Sequence, residues 1–220
     1  MTERVSREPN RLQRHKARTR AALVSAAQNF IAQGKMNVPI LEITQVADVG
    51  MGSFYNHFQT REELFAAAAE DVLDLLGATL DELTEGLEDP AHIFTQSFRL
   101  TGRLHRRNPV LSKVLLSSGM SLARSGKGLA LRARRDSETA ASLGRFQVGD
   151  ADLAMALATG AVLALGQLSH NHPERDDASS ADQIAEDLLR IFGLSPEEAR
   201  EICCRPLPSL DVLPRNDTAA

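Results

Sequence analysis

Apolar residues recur at helical spacing along most of this chain, and no stretch alternates apolar and polar positions in the period of a strand. From Arg11 to Gln33 there is neither Pro nor Gly. Leu23, Ala27, Phe30 and Ile31 share one face at i, i+4, i+7 and i+8, and Gly34 stops the run. A short unit from Pro39 to Ala47 follows, with Ile40, Ile43 and Ala47 on its apolar side. Pro39 suits a first helical turn, where its missing N–H costs nothing. Asp48, Val49 and Gly50 interrupt the pattern before a second short unit that carries Phe54 and Phe58 four apart. Thr60-Arg61-Glu62-Glu63 has the form of a capping box, with Thr60 as N-cap and Glu63 reaching back. It opens a long helix through Leu64, Phe65, Val72, Leu75 and Leu76 towards Leu83.

Punctuation divides the remainder. Pro90 starts a helix that runs to about Asn108, and Pro109 starts another that ends near Gly119. Residues 125–128 form a loop before a helix from Leu129 to Arg145. Asp150 or Asp152 opens an apolar helix ending near His172-Pro173, Ser180 caps a helix to Phe192, and Ser195-Pro196 starts a last short one. Residues 206–220 contain three prolines and little periodicity, the pattern of a mobile tail. The fold class this predicts is all-α. Composition agrees, because aromatics are only 4% and helix formers outnumber β-branched residues at the apolar positions.

The formal net charge of −4 hides an asymmetry. Residues 1–36 hold eight of the 25 basic residues and two of the 29 acidic ones, leaving 17 and 27 for the rest. A basic beginning and an acidic body suit a chain whose first part meets a polyanion. The first 22 residues are polar and basic, unlike a signal peptide. Ala151 to Leu168 is apolar but rich in Ala and interrupted by Gly160 and Gly166, so a buried interface helix is expected there in place of a membrane span. Cys203 and Cys204 are adjacent, a poor spacing for a disulfide or a zinc site, and read as reduced thiols of a cytoplasmic protein.

Two short helices joined by three residues and buttressed by a longer first helix have the form of a helix-turn-helix. A short second helix fits the major groove, about 12 Å wide, while its neighbours hold its angle. Ile43, Ala47, Phe54 and Phe58 form the expected core of this head, and Val49 plugs the angle between the two helices.

The run from Ile43 to Phe58, with Gly52-Ser53-Phe54-Tyr55-Asn56-His57-Phe58 at its centre and Thr60-Arg61-Glu62-Glu63-Leu64 after it, resembles the tetracycline-repressor-like (TetR) family over roughly residues 14–66. Three positions depart from the family pattern. Asp48 stands at a turn position usually held by Gly, which commonly needs positive φ; Thr44 replaces a small apolar residue; Gly50 replaces a Ser N-cap. The resemblance implies a basic arm (1–13), a three-helix DNA-binding domain (14–59), a helical ligand-binding and dimerisation domain (60–205) and a tail (206–220). It implies phosphate contacts from Tyr55 and His57 and a phosphate clamp at Arg61. Gly52 lets the helix approach the DNA backbone, and Met51, Ser53 and Asn56 face the groove. Gly50, Thr44, Gln45 and the basic Arg14, Lys16 and Arg18 complete the DNA-facing set. A repressor released from a pseudo-palindromic operator by a small, mainly apolar effector, acting as a homodimer, is the function implied.

For the second domain, Phe94, Phe98, Thr101 and His105 share a helix face at i, i+4, i+7 and i+11 and are candidates for a pocket, with Met120, Met155 and Thr159. Leu153, Ala154, Leu157, Ala158 and Ala161 of the apolar helix, with Ile184 and Leu188, are candidates for a dimer face; the alternative is that this face belongs to the protomer core. His170-Asn171-His172 lacks the spacing and companions of a metal site, and no metal or other cofactor is expected. No phosphate-binding loop or nucleophile elbow is found, so an enzyme is not expected. The competing reading is a helical interaction adaptor or small-ligand-binding protein without specific DNA readout.

Overall fold

Ten α-helices and one 3-10 segment make up the described residues, 11–124 and 126–210, of a computed structural model. The expected basic residues through position 10, and the tail from residue 211, lie outside them. Compact units divide the chain after Ala68.

The first unit contains α1 (Arg11–Ala32), α2 (Ile40–Val46), α3 (Met51–Tyr55) and the beginning of α4 (Arg61–Leu83). Helix α1 buries Leu23, Val24, Ala26, Ala27, Phe30 and Ile31. It ends where Gly34, at φ +74°, donates to Ile31 O while Lys35 donates to Phe30 O, a left-handed cap that satisfies two terminal carbonyls. Residues 11–13, counted with the arm from the sequence, are already helical. Ile43, Phe54 and Leu64 are fully buried, Phe58 nearly so, and Ala47 half-buried. The predicted box at α4 forms with one change: Glu63 N–H donates to Thr60 Oγ1 at 3.1 Å, but the Glu63 carboxylate accepts from Gln59 N at 2.7 Å, one residue further back than expected.

In the second unit α5 (Pro90–Arg107) is the central element, packed by α6 (Pro109–Ser118), α7 (Gly128–Ser142), α8 (Ala151–Asn171), α9 (Asp177–Ile191) and α10 (Pro196–Cys204). Most of these helices start where the sequence suggests, at Pro90, Pro109, Asp150 and Ser195-Pro196, and Asp89, Asn108, Asp150 and Ser195 each accept from a first-turn N–H. Helix α9 differs. Asp176, not Ser180, accepts from Ser179 N, so the helix begins about one turn earlier, and the Ser180 hydroxyl donates to the Asp176 carbonyl. The 3-10 segment Gly119–Arg124 had no sequence signal; Gly119, at φ +53°, ends α6 and leads into it.

Phe94, Phe146 and Phe192 meet edge-on or tilted, with ring centroids 5.1–5.7 Å apart, at the heart of a core that also takes Ala154, Ala158, Leu165 and Leu188. Gly102 lets α5 touch α9, because a Cβ there would stand 2.7 Å from that of Ala181. The same pair of helices is joined by Arg99 and Arg103, both on Asp182 at 2.7–2.8 Å.

Candidate DNA-reading surface and effector cavity

The turn between α2 and α3 explains the unusual acid. Asp48 N donates to Gln45 O and Val49 N to Thr44 O, the pattern of a left-handed helix end, and Asp48 itself sits at φ +52°. It is the only non-Gly residue at positive φ among the described residues, and Asp tolerates that region better than most. Gly50 then caps α3 in extended conformation without a side-chain bond, as expected of a glycine there.

Helix α3 presents Met51, Gly52, Tyr55 and Asn56 as exposed residues and half-buries Ser53. A Cβ at Gly52 would meet nothing within 4 Å, so this turn is open to a partner backbone. Tyr55 meets Phe54 edge-on, centroids 5.3 Å apart, yet remains 57% exposed. His57 is half-buried beside Lys16 and Arg20; burial first, then these two cations, lower its pKa. Arg20 also lies over the Phe58 ring at 5.5 Å. Arg14, Lys16, Arg18 and Gln45 are exposed.

Two assignments change. Thr44 is only 2% exposed, and its hydroxyl donates to Leu41 O at 2.9 Å and lies 3.6 Å from Met51 Sδ. It therefore packs behind α3 and cannot meet DNA; its hydroxyl is used to fasten the turn. Arg61 is not a waiting clamp either, since Nε and Nη2 lie on Glu62 at 3.0 and 2.6 Å and Nη1 donates to Asn37 Oδ1. A phosphate there has to displace Glu62. Sequence reasoning missed Arg20 and Asn37 as neighbours of this surface: Arg20 signals only its charge, and Asn37 nothing.

A cavity of about 70 Å³ opens within the second unit among α4, α5, α7 and α8. Phe94, Phe98, Thr101, Met155 and Thr159 line it, as the sequence suggested. His105 does not. It is buried, with Nδ1 at 2.8 Å from Ser112 Oγ and Nε2 at 2.9 Å from Val162 O, and burial pushes its pKa down to about 4. Its ring fills the space that a side chain at Gly166 would need. Met120 is 47% exposed on the 3-10 segment, from which Leu122 lines the cavity.

The polar wall of this cavity escaped the sequence reading. Asp81 of α4 and Arg132 and Asp136 of α7 line it. Arg132 donates through Nε to Asp81 Oδ2 at 2.7 Å and through Nη1 to Asp74 Oδ1 at 2.9 Å. Arg135 bridges Asp81 at 2.8 Å and Asp136 at 2.9 Å. Burial raises the Asp136 carboxyl above the usual range, with Arg135 pulling the other way. Burial also pushes Asp81 upward, but its hydrogen bonds from Arg135 and Arg132 win and hold it low. An apolar chamber with acceptors and an arginine on one side suits a small ring bearing polar substituents.

Helix α8 divides its two stripes sharply. Ala154 and Ala158, with Leu188 of α9, belong to the protomer core, which corrects their placement in a dimer face: they fall on the stripe that meets α5. Leu153 and Leu157 are 64% and 47% exposed, and Leu168 and Ile191 are exposed as well, while Ala161 and Ile184 are half-buried. This helix is long and apolar enough to cross a membrane by length and composition. Its buried stripe, from Ala154 to Gly166, shows it instead as a packed element of this core. Cys203 is buried, with burial raising its thiol to about 12, and Cys204 is exposed.

Residues 22–68 match the family profile described as bacterial regulatory proteins, tetR family, and residues 89–205 match the tetracyclin repressor-like C-terminal domain. Among solved structures, the chain is similar to RolR in complex with its ligand resorcinol, at 36% identity, covering 89% of this chain and 98% of that one, with a TM-score of 0.74. RolR without ligand aligns at 35% identity over 86% of this chain and 98% of that one, TM-score 0.70. SmeT, the repressor of the Stenotrophomonas maltophilia multidrug efflux pump SmeDEF, shares the fold at 20% identity over 86% and 97% of the two chains, TM-score 0.57. No curated protein matches the chain.

Proposed function

The chain belongs to the tetR family of DNA-binding bacterial regulators, and on that premise we propose that it is a repressor released from a pseudo-palindromic operator by a small hydroxylated aromatic compound. The observation that carries this reading is the polar wall of the cavity. Phe94, Phe98, Met155 and Val162 supply an apolar bed for a ring, while Asp81, Arg132 and Asp136 stand together at one side of it. Carboxylates accept from phenolic O–H groups, and hydrogen bonds to charged partners are the stronger kind. That the 36% identical RolR binds resorcinol supports the same ligand class here.

On the DNA side, Met51, Ser53 and Asn56 are placed for base edges and Tyr55, His57 and Gly52 for phosphates. Arg61 joins them on exchanging Glu62 for DNA. The exposed apolar stripe of α8, Leu153, Leu157 and Leu168, with Ile191 of α9, serves as the two-fold dimer face. A two-fold dimer reads a site of matching symmetry. Action on DNA fits a cytoplasmic location.

The test is an electrophoretic mobility shift on DNA upstream of the chain's own gene, titrated with resorcinol. Retardation that resorcinol abolishes is the expected result. Retardation that persists through saturating resorcinol, catechol and phenol removes the effector class, and absence of any sequence-specific retardation removes the repressor.

A further inference from the structure

Resting on the effector reading above, we infer that Gly77 is a positioning residue for the polar wall of the cavity and acts through Arg132. Glycine in the interior of a helix weakens it relative to alanine, so Gly77, well inside α4, calls for a reason. Asp74, Gly77 and Asp81 lie on one face of that helix at i, i+3 and i+7. Arg132 crosses this face from α7, with Nη1 on Asp74 and Nε on Asp81. Between the two acids its side chain occupies the place of the missing Cβ. A methyl at Gly77 would stand 2.8 Å from Arg132 Nη1, 2.9 Å from its Cδ and 3.2 Å from Leu129 N.

The other helix yields in the same way. Gly128, at φ +55°, opens α7, and a Cβ on it would come within 3.2 Å of Asp74 N and 3.3 Å of Leu73 C. Each helix thus has a glycine where it approaches the other, and Arg132 lies flat in the seat that results. Two edges of the guanidinium are committed to α4. Nη2 has no hydrogen-bond partner among the described residues and is left to donate to a ring substituent. Asp136, one turn further along α7, supplies an acceptor to the same chamber. A ring with two hydroxyls engages both groups, whereas phenol engages one. The seat at Gly77 therefore sets how strongly the cavity prefers the second hydroxyl.

Isothermal titration calorimetry with resorcinol and with phenol, on the full chain and on Gly77→Ala, Arg132→Ala and the double variant, tests this. Alanine is the better helix former, so Gly77→Ala keeps α4, and circular dichroism checks that it does. The full chain is expected to prefer resorcinol by about tenfold, the effect of one hydrogen bond to a charged group. Gly77→Ala brings that preference down to the level of Arg132→Ala, and adding it to Arg132→Ala changes the preference no further. A simple packing role weakens both ligands alike and leaves their ratio intact. A ratio unchanged in Gly77→Ala, or lowered further in the double variant than in Arg132→Ala, overturns the inference and leaves the effector reading standing. A full chain that takes up neither ligand overturns both.

Discussion

The DNA-reading surface and the effector cavity are built on opposite plans. The former is local: Ile43 to Arg61 hold the turn, α3, the residues proposed to meet phosphates and two of the three phenylalanine and leucine plugs beneath it, and neighbours in sequence are neighbours in space. The cavity is assembled from residues between Gly77 and Val162, contributed by four helices and the 3-10 segment. A surface of the first kind is specified by a short pattern and tolerates little change inside it. One of the second kind depends on how helices approach one another, and so on residues such as Gly102 and Gly166 that do not line it. The two sites also differ in charge logic. The reading surface gathers the exposed cations Lys16, Arg18 and Arg20, while the cavity wall pairs Arg132 and Arg135 with carboxylates.

The largest effect that separates the two is expected from Phe54→Ala. Emptying a fully buried aromatic site costs about 3–5 kcal/mol, enough to unfold the first unit and abolish DNA binding, while the cavity still takes up ligand. Mobility shift and calorimetry on the same preparation measure both. Loss of ligand uptake together with DNA binding would mean that the cavity does not stand by itself.

Acid is expected to act on the second unit through His105. Its folded pKa, about 4, lies below the ordinary 6.5, so the unfolded chain binds the proton more readily. The stability it contributes is present above pH 6.5 and is lost as pH falls from there towards 4, a total of roughly 3 kcal/mol at about 1.4 kcal/mol per unit. Thermal unfolding as a function of pH should show this slope, and His105→Gln should flatten it; an equal slope in the variant assigns the acid sensitivity to other groups.

Asp136→Asn is the cavity's counterpart of a base-reading mutation. Replacing an acceptor carboxylate by an amide should weaken resorcinol by about 1.5–3 kcal/mol and leave ligand-free DNA affinity as it was. Retention of full resorcinol affinity would take Asp136 out of the site.

The smallest effect is expected at the turn. Asp48→Gly relieves a side chain held at φ +52° and should stabilise the first unit by about 1 kcal/mol, seen as a raised unfolding midpoint. An unchanged or lowered midpoint would show that Asp48 gains from its carboxylate what it loses in backbone strain.

Legibility from the sequence follows the same division. Helix boundaries marked by a Pro or an acidic cap, as at Pro90, Pro109, Asp150 and Ser195, came within a residue or two, because the signal is local chemistry. At α9 two capping residues compete, and the earlier one, Asp176, wins, a choice that periodicity does not weigh. The helical periodicity of α5 put Phe94, Phe98, Thr101 and His105 on one face, yet three line the cavity and the fourth is consumed by Ser112 and Val162 O. Thr44 was misplaced for a related reason: its position beside the reading helix is visible in the sequence, but the direction of its hydroxyl, towards Leu41 O, is not.

The all-helical order, the helix-turn-helix and the turn at Asp48 are all readable from the residue order, since each is written in contacts a few residues long. Which stripe of α8 is core and which is exposed, and that Asp81, Arg132 and Asp136 share one wall, emerges only once the helices are packed. Those residues are separated by up to 55 positions in the chain, and what brings them together is the close approach of two helices at Gly77 and Gly128, a distance that no periodicity encodes.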